Sequence, residues 1–156
     1  SVVPLFINQI KNKVPITVTD PEMTRFNISL KEATLYVLKK INSNKGGEIF
    51  VPKLYSYKIE DVVKALGKNV KFEIIGVRHG EKRHEEMISK YENDKTLESK
   101  SDYVILNSSK NNYKGFKAYK LVKKGFSYNS FKNSKYLTVS QIKRLIEKEK
   151  ANFEPQ

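Results

Sequence analysis

Cysteine is absent from all 156 residues. That excludes a disulfide framework and any thiolate metal site, and it fits a reducing compartment such as the cytoplasm. No apolar run approaches the ~20 residues that a membrane-spanning helix needs, and we read no signal peptide at the start. Arginine is scarce: Arg25, Arg78, Arg83 and Arg144 are the only four among 30 basic residues. The seven glycines, at 46, 47, 67, 76, 80, 115 and 125, never form a G-x-x-G-x-x-G turn after a strand. The backbone device that admits a dinucleotide pyrophosphate is therefore missing from this stretch. There is also no H-E-x-x-H, the pattern that sets two imidazoles one helical turn apart on a metal.

What is present points to a packed α/β domain. Hydrophobic residues make up 38%, nine tyrosines and eight phenylalanines are available for a core, and the length suffices for one. The formal charge of +13 comes almost wholly from lysine, spread through most segments. A solvated lysine-rich surface accounts for it, and an anionic ligand is compatible with it. A nucleic-acid module is the alternative, because clustered cations release counterions from phosphates. The chain opens on SVVPLF rather than methionine, and we expect it to be a piece of a longer protein.

Periodicity predicts a helix over SVVPLFINQIKN, with Pro4 in its first turn, and a short strand at PITVT, 15–19. Ser29 and Glu32 have capping-box spacing in SLKEATLYVLKKI, which carries an apolar stripe and which Gly46-Gly47 should stop. Strands are expected at 47–53, 71–77 and 102–107, a helix at 58–67 ending on Gly67, and helical character over 81–90. Residues 89–101 and the Ser/Asn/Lys-rich stretch to about 136 read as loop, and Thr138 with Gln141 should cap a last helix. Two regions follow: an α/β region over 1–90, and an extension over 91–156 with a strand, a long polar loop and a terminal helix.

GVRHGEKRHEEM, residues 76–87, is the stretch richest in chemistry. His79 and His84 lack metal-ligand spacing, and we expect no metal. Arg78 at a strand end, followed by a glycine turn, suits a phosphate, since a guanidinium fork matches two oxygens at once. Arg25 would supply a second fork, and Glu81 an acceptor for sugar hydroxyls. A surface ion pair explains an arginine at a strand end equally well. Tyr36-x-x-x-Lys40 has the spacing of a tyrosine–lysine acid–base pair, but so do Tyr91/Lys95, Tyr113/Lys117 and Tyr119/Lys123. Packing is the simpler reading of Tyr36.

Together, SVVPLF, ITVTDPEMTRFNISLKEA, GGEIFVPK and GVRHGEKRHEEM resemble the C-terminal half of the polysaccharide-biosynthesis nucleotide-sugar dehydratases. These are extended short-chain dehydrogenase/reductases typified by inverting UDP-N-acetylglucosamine 4,6-dehydratases, with UDP-sugar 4-epimerases as a sister group. The likeness is strong to about residue 88 and weaker beyond, and it implies that 1–90 is a substrate-binding region. It implies that Arg25 and Arg78 meet the UDP pyrophosphate and that Glu81 meets the ribose hydroxyls. Thr17 and Val18 would lie along uracil and ribose, and Val3 and Pro4 would border the substrate. It gives Arg83, His79 and His84 no role. It further implies NAD(P) in the complete enzyme, held by a Rossmann half on the same or another chain, a UDP-sugar substrate and a homo-oligomer. This chain alone would bind no cofactor, carry no catalytic residue and turn nothing over.

Overall fold

The structure, a computed structural model, describes residues 2–67, 70–107 and 115–153. Helix α1 (Val2–Lys11) carries Pro4 in its first turn and buries Phe6. Strand β1 (Ile16–Val18) alternates, with Ile16 and Val18 buried and Thr17 turned to the other face. It pairs in parallel with β5 (Phe72–Ile74), in register Ile16↔Phe72 and Val18↔Ile74.

The other sheets are antiparallel. TRFN forms β2 (Thr24–Asn27) against β4 (Tyr55–Lys58), two strands that periodicity did not separate from their neighbours. A four-stranded sheet runs β3 (Ile49–Pro52), β8 (Asp102–Ile105), β7 (Thr96–Glu98), β9 (Lys120–Leu121). Last, β6 (Glu86–Ile88) pairs with β10 (Tyr128–Asn129).

Residues 81–90 do not have the expected helical character. Glu, Lys and Met favour helix locally, but His84 bridges Thr24 and β6 pairs with β10. Tertiary pairing overrides propensity. The loop expected over 89–101 also gains structure: a 3₁₀ turn (Asn93–Lys95) leads into β7.

Helix α2 (Leu30–Ile41) has the expected capping box, but it ends with Asn42 at its C-cap, before the glycine pair. Its apolar stripe is not buried. Leu30, Val37, Leu38 and Ile41 are 85%, 58%, 56% and 62% exposed, and the face turned inward is that of Tyr36 and Lys40. Helix α3 (Ile59–Leu66) runs to Gly67 and packs against α4 (Val139–Phe153), where the Thr138 and Gln141 side chains each accept the other's backbone N–H.

One core joins Phe6, Ile16, Val18 and Met23 to Val62 and Val63 of α3 and Ile142 and Ile146 of α4. A second joins Val51 and Ile88 to Tyr103 and Tyr128, and a third lies around Leu97, Val104 and Phe116. The extension after residue 90 is thus built into the same cores as the region before it.

Candidate functional site

A cleft of about 630 Å³ opens where the α1 N-terminus, the β1–β2 turn, β2, β4 and the loop from Ile75 to Glu86 meet. Thr17, Arg25, Arg78 and Glu81 all line it. Val18 does not, because strand alternation sends it to the core at 1% exposure. Val3 packs on the core beside Val2, and Pro4 faces solvent in the helix's first turn; Val2, Leu5 and Phe6 line the cleft in their place.

Gly80 shapes the Arg78 end. Its φ of +77° lies in the left-handed region, and Glu81 N–H donates to the Arg78 carbonyl at 3.1 Å. This is a four-residue turn whose third position needs positive φ, the reason for glycine there. Glu81 Oε2 also accepts from Arg78 N–H at 3.4 Å. Both ends of the turn are thereby tied, and the Arg78 guanidinium has no carboxylate partner among the described residues.

Arg25 is placed by register, opposite Tyr57 on β4. Its Nη1 donates to the carbonyls of Thr24 at 2.8 Å and Arg83 at 3.1 Å. Its charge faces Glu81 at 3.8 Å and Glu85 at 3.5 Å, distances long enough for either acid to be exchanged for another anion. Burial pushes the Tyr57 phenol up, and the Arg25 charge works against that rise. Thr17 is held by Gln9, whose Nε2 donates to Thr17 Oγ1 at 2.9 Å while its Oε1 accepts from Thr17 N–H at 3.3 Å.

Beneath the site lies a polar knot that sequence reasoning missed. Thr24 Oγ1 meets His84 Nδ1 at 2.9 Å and Ser130 Oγ at 2.7 Å, and Ser130 Oγ accepts from Glu85 N–H at 2.9 Å. His84 is therefore structural rather than incidental. Burial first, then the Arg83 and Arg25 charges, hold its pKa below the usual imidazole value; the ring stacks on Phe131 at 4.5 Å. Nothing local in the sequence announces Ser130. His79 is exposed. Among the described residues no group of three His, Cys, Asp or Glu is placed to hold a metal.

Tyr36 and Lys40 do meet, through Asp102. Lys40 pairs with Asp102 Oδ2, and Tyr36 and Tyr119 donate to the same carboxylate at 3.3 and 2.8 Å. Burial, then the Asp102 charge, raises the Tyr36 pKa. An acid–base tyrosine needs the opposite shift, so this pair is a staple for α2.

The tail aromatics face inward as well. Phe116 and Tyr128 are buried and Tyr119 and Phe126 pack against the cores, which leaves few rings free to stack on bases; Tyr113 lies outside the described residues.

Known proteins resemble this chain along most of its length. The profile of the family described as polysaccharide biosynthesis protein matches residues 1–107. A UDP-N-acetylglucosamine 4,6-dehydratase (inverting) of Campylobacter jejuni is 40% identical over 158 aligned residues, covering 94% of this chain and 46% of that protein. A UDP-glucose 4-epimerase of Rickettsia felis is 38% identical, covering 94% and 45%. The crystal structure of Pen from Bacillus thuringiensis aligns with a TM-score of 0.77 at 30% identity, over 96% of this chain and 44% of that one. The chain thus spans about half the length of the relatives it matches.

Proposed function

We propose, for a chain that belongs to the polysaccharide biosynthesis protein family, that it forms the part of a nucleotide-sugar enzyme that grips UDP. One observation carries the reading. Arg25, Arg78, Glu81 and Thr17, from three separate segments of the chain, line a single cleft. The dehydratase and the epimerase named above both have UDP-sugars in their names.

Arg78, with no competing carboxylate among the described residues, reaches the diphosphate first. Arg25 follows by giving up Glu85 and Glu81, which leaves Glu81 to accept from the ribose hydroxyls. Thr17 keeps a hydroxyl proton to donate, because Gln9 donates to its oxygen. Holding UDP far from the reacting carbons positions the sugar, and that is how remote binding energy serves a reaction elsewhere.

The reaction we assign is 4,6-dehydration of a UDP-N-acetylhexosamine. UDP-sugar 4-epimerisation is the second reading, favoured by the Rickettsia relative. Both chemistries draw on a nicotinamide cofactor, which exchanges hydride with the sugar. The residues described here do not fit that cofactor: no strand leads into a glycine-rich turn and helix, and Tyr36–Lys40 is committed to Asp102. The remainder of the enzyme supplies it.

The exposed faces support such a remainder. A parallel strand pair normally buries both faces, yet Phe72 and Ile74 on β5 are 41% and 63% exposed, as is the α2 stripe. We assign these faces to a nucleotide-binding half, on the same or a separate polypeptide.

Titration calorimetry with UDP tests the grip. Binding is expected, and Arg78→Ala should weaken it by roughly 1.5–3 kcal/mol, the worth of a charged hydrogen bond. Unchanged affinity removes Arg78 from the site.

A further inference from the structure

Arg83, like Arg144, gets no role from the resemblance, yet its hydrogen bonds among the described residues bear on the cleft. Its Nε and Nη2 hold Asp20 Oδ2 at 2.8 and 2.6 Å. Its carbonyl accepts from Thr24 N–H and from Arg25 Nη1, each at 3.1 Å. One residue thereby ties the Asp20 turn and β2 to the segment bearing Arg78 and Glu81.

The charge of the cleft makes this connection matter. Four carboxylates, Asp20, Glu81, Glu85 and Glu86, line it against two guanidiniums, Arg25 and Arg78. That balance opposes a diphosphate. Glu85 stands 3.5 Å from Arg25 and can turn away, and Glu81 is kept for the ribose hydroxyls. Asp20 cannot: its side chain is only 15% exposed, and its Oδ1 accepts from Glu22 N–H at 2.9 Å. Its charge is fixed on the wall and has to be cancelled where it stands. Arg83 does so from outside the lining, with its own side chain 59% exposed.

We propose that Arg83 is a positioning residue whose side chain neutralises Asp20, so that the cleft admits a nucleoside diphosphate instead of repelling it. This deepens the UDP-grip reading and rests on it. The two are separable, because one concerns whether UDP binds and the other concerns what an uncancelled Asp20 does to it.

Calorimetry with UDP and with UMP on the wild-type chain, Arg83→Ala, Arg83→Gln, Asp20→Asn and the double variant Asp20→Asn/Arg83→Ala decides it. Both single Arg83 variants should weaken UDP binding roughly tenfold and UMP binding less, because UMP brings less charge near Asp20. Asp20→Asn alone should hold or tighten UDP binding. The double variant should recover most of the loss, which a merely structural role for Arg83 would not allow. Wild-type affinity in both Arg83 variants overturns this inference alone. So does an equal loss for UDP and UMP that Asp20→Asn fails to rescue. A wild-type chain that binds no UDP overturns the grip reading, and this one with it.

Discussion

Asp102 has no exposed surface, and its two oxygens serve Lys40, Tyr36, Tyr119 and Ser99. Burial alone would raise its carboxyl; hydrogen bonds from Lys40, Ser99 and Tyr119 outweigh that and hold it below its usual 3.8. A depressed carboxyl stabilises the fold above that ordinary value, and the contribution is lost as pH falls through the folded-state value. Acid titration of the fold should therefore show stability dropping below about pH 4, and Asp102→Asn should flatten that drop. At neutral pH the same variant strands Lys40 and should cost about 3 kcal/mol in urea unfolding; a cost under ~1 kcal/mol would make the staple a surface pair. The Tyr36–Lys40 spacing was plain in the sequence, but its use was not, because the carboxylate that unites the two lies on β8. The cleft was similarly half legible. Arg25, Arg78 and Glu81 are set by recognisable motifs, whereas Thr17 and Val18 were separable only by strand alternation, and Ser130 only by the fold.

Between Ile75 and Glu86 the local signal and the structure part company. Helix-forming side chains suggested a helix after Gly80; a turn, a bridge to Thr24 and strand β6 stand there instead. Cross-strand partners on β10 decide the matter, and no window over 81–90 contains them. The turn itself was readable from Gly80. Since that residue sits at φ +77° with open space where a Cβ would go, Gly80→Ala should cost about 1–2 kcal/mol through backbone strain alone and weaken UDP binding by disordering Arg78 and Glu81. Equal stability and affinity in that variant, by urea unfolding and calorimetry, would contradict the turn's role. For α2 the period was right, but periodicity shows that a stripe exists without saying what covers it. Leu38→Lys should leave the stability of this chain within ~0.5 kcal/mol in the same assay; a larger loss would mean that the stripe is buried here after all.

At the scale of the molecule, the α/β class and most helices followed from pattern, while the division of the described residues into four small sheets did not. Each of those sheets joins residues that lie far apart in sequence, Ile16 with Phe72, Thr24 with Lys58, Ile49 with Ile105 and Ile88 with Tyr128, and long-range pairing leaves no local trace. Spanning about half of its relatives, and with β5 and the α2 stripe exposed, the chain should form no 4-keto product from UDP-N-acetylglucosamine and NADP, as read by mass spectrometry. Product from the chain alone would end the assignment of hydride chemistry to a separate half. The central claim is narrower: two guanidiniums, from β2 and from the strand-end turn, grip one diphosphate. A crystal structure of the chain with UDP tests it most directly. The account predicts pyrophosphate oxygens within hydrogen-bond reach of both Arg25 and Arg78, with Glu85 turned away from Arg25. A nucleotide bound elsewhere, or a diphosphate touched by neither arginine, would contradict it.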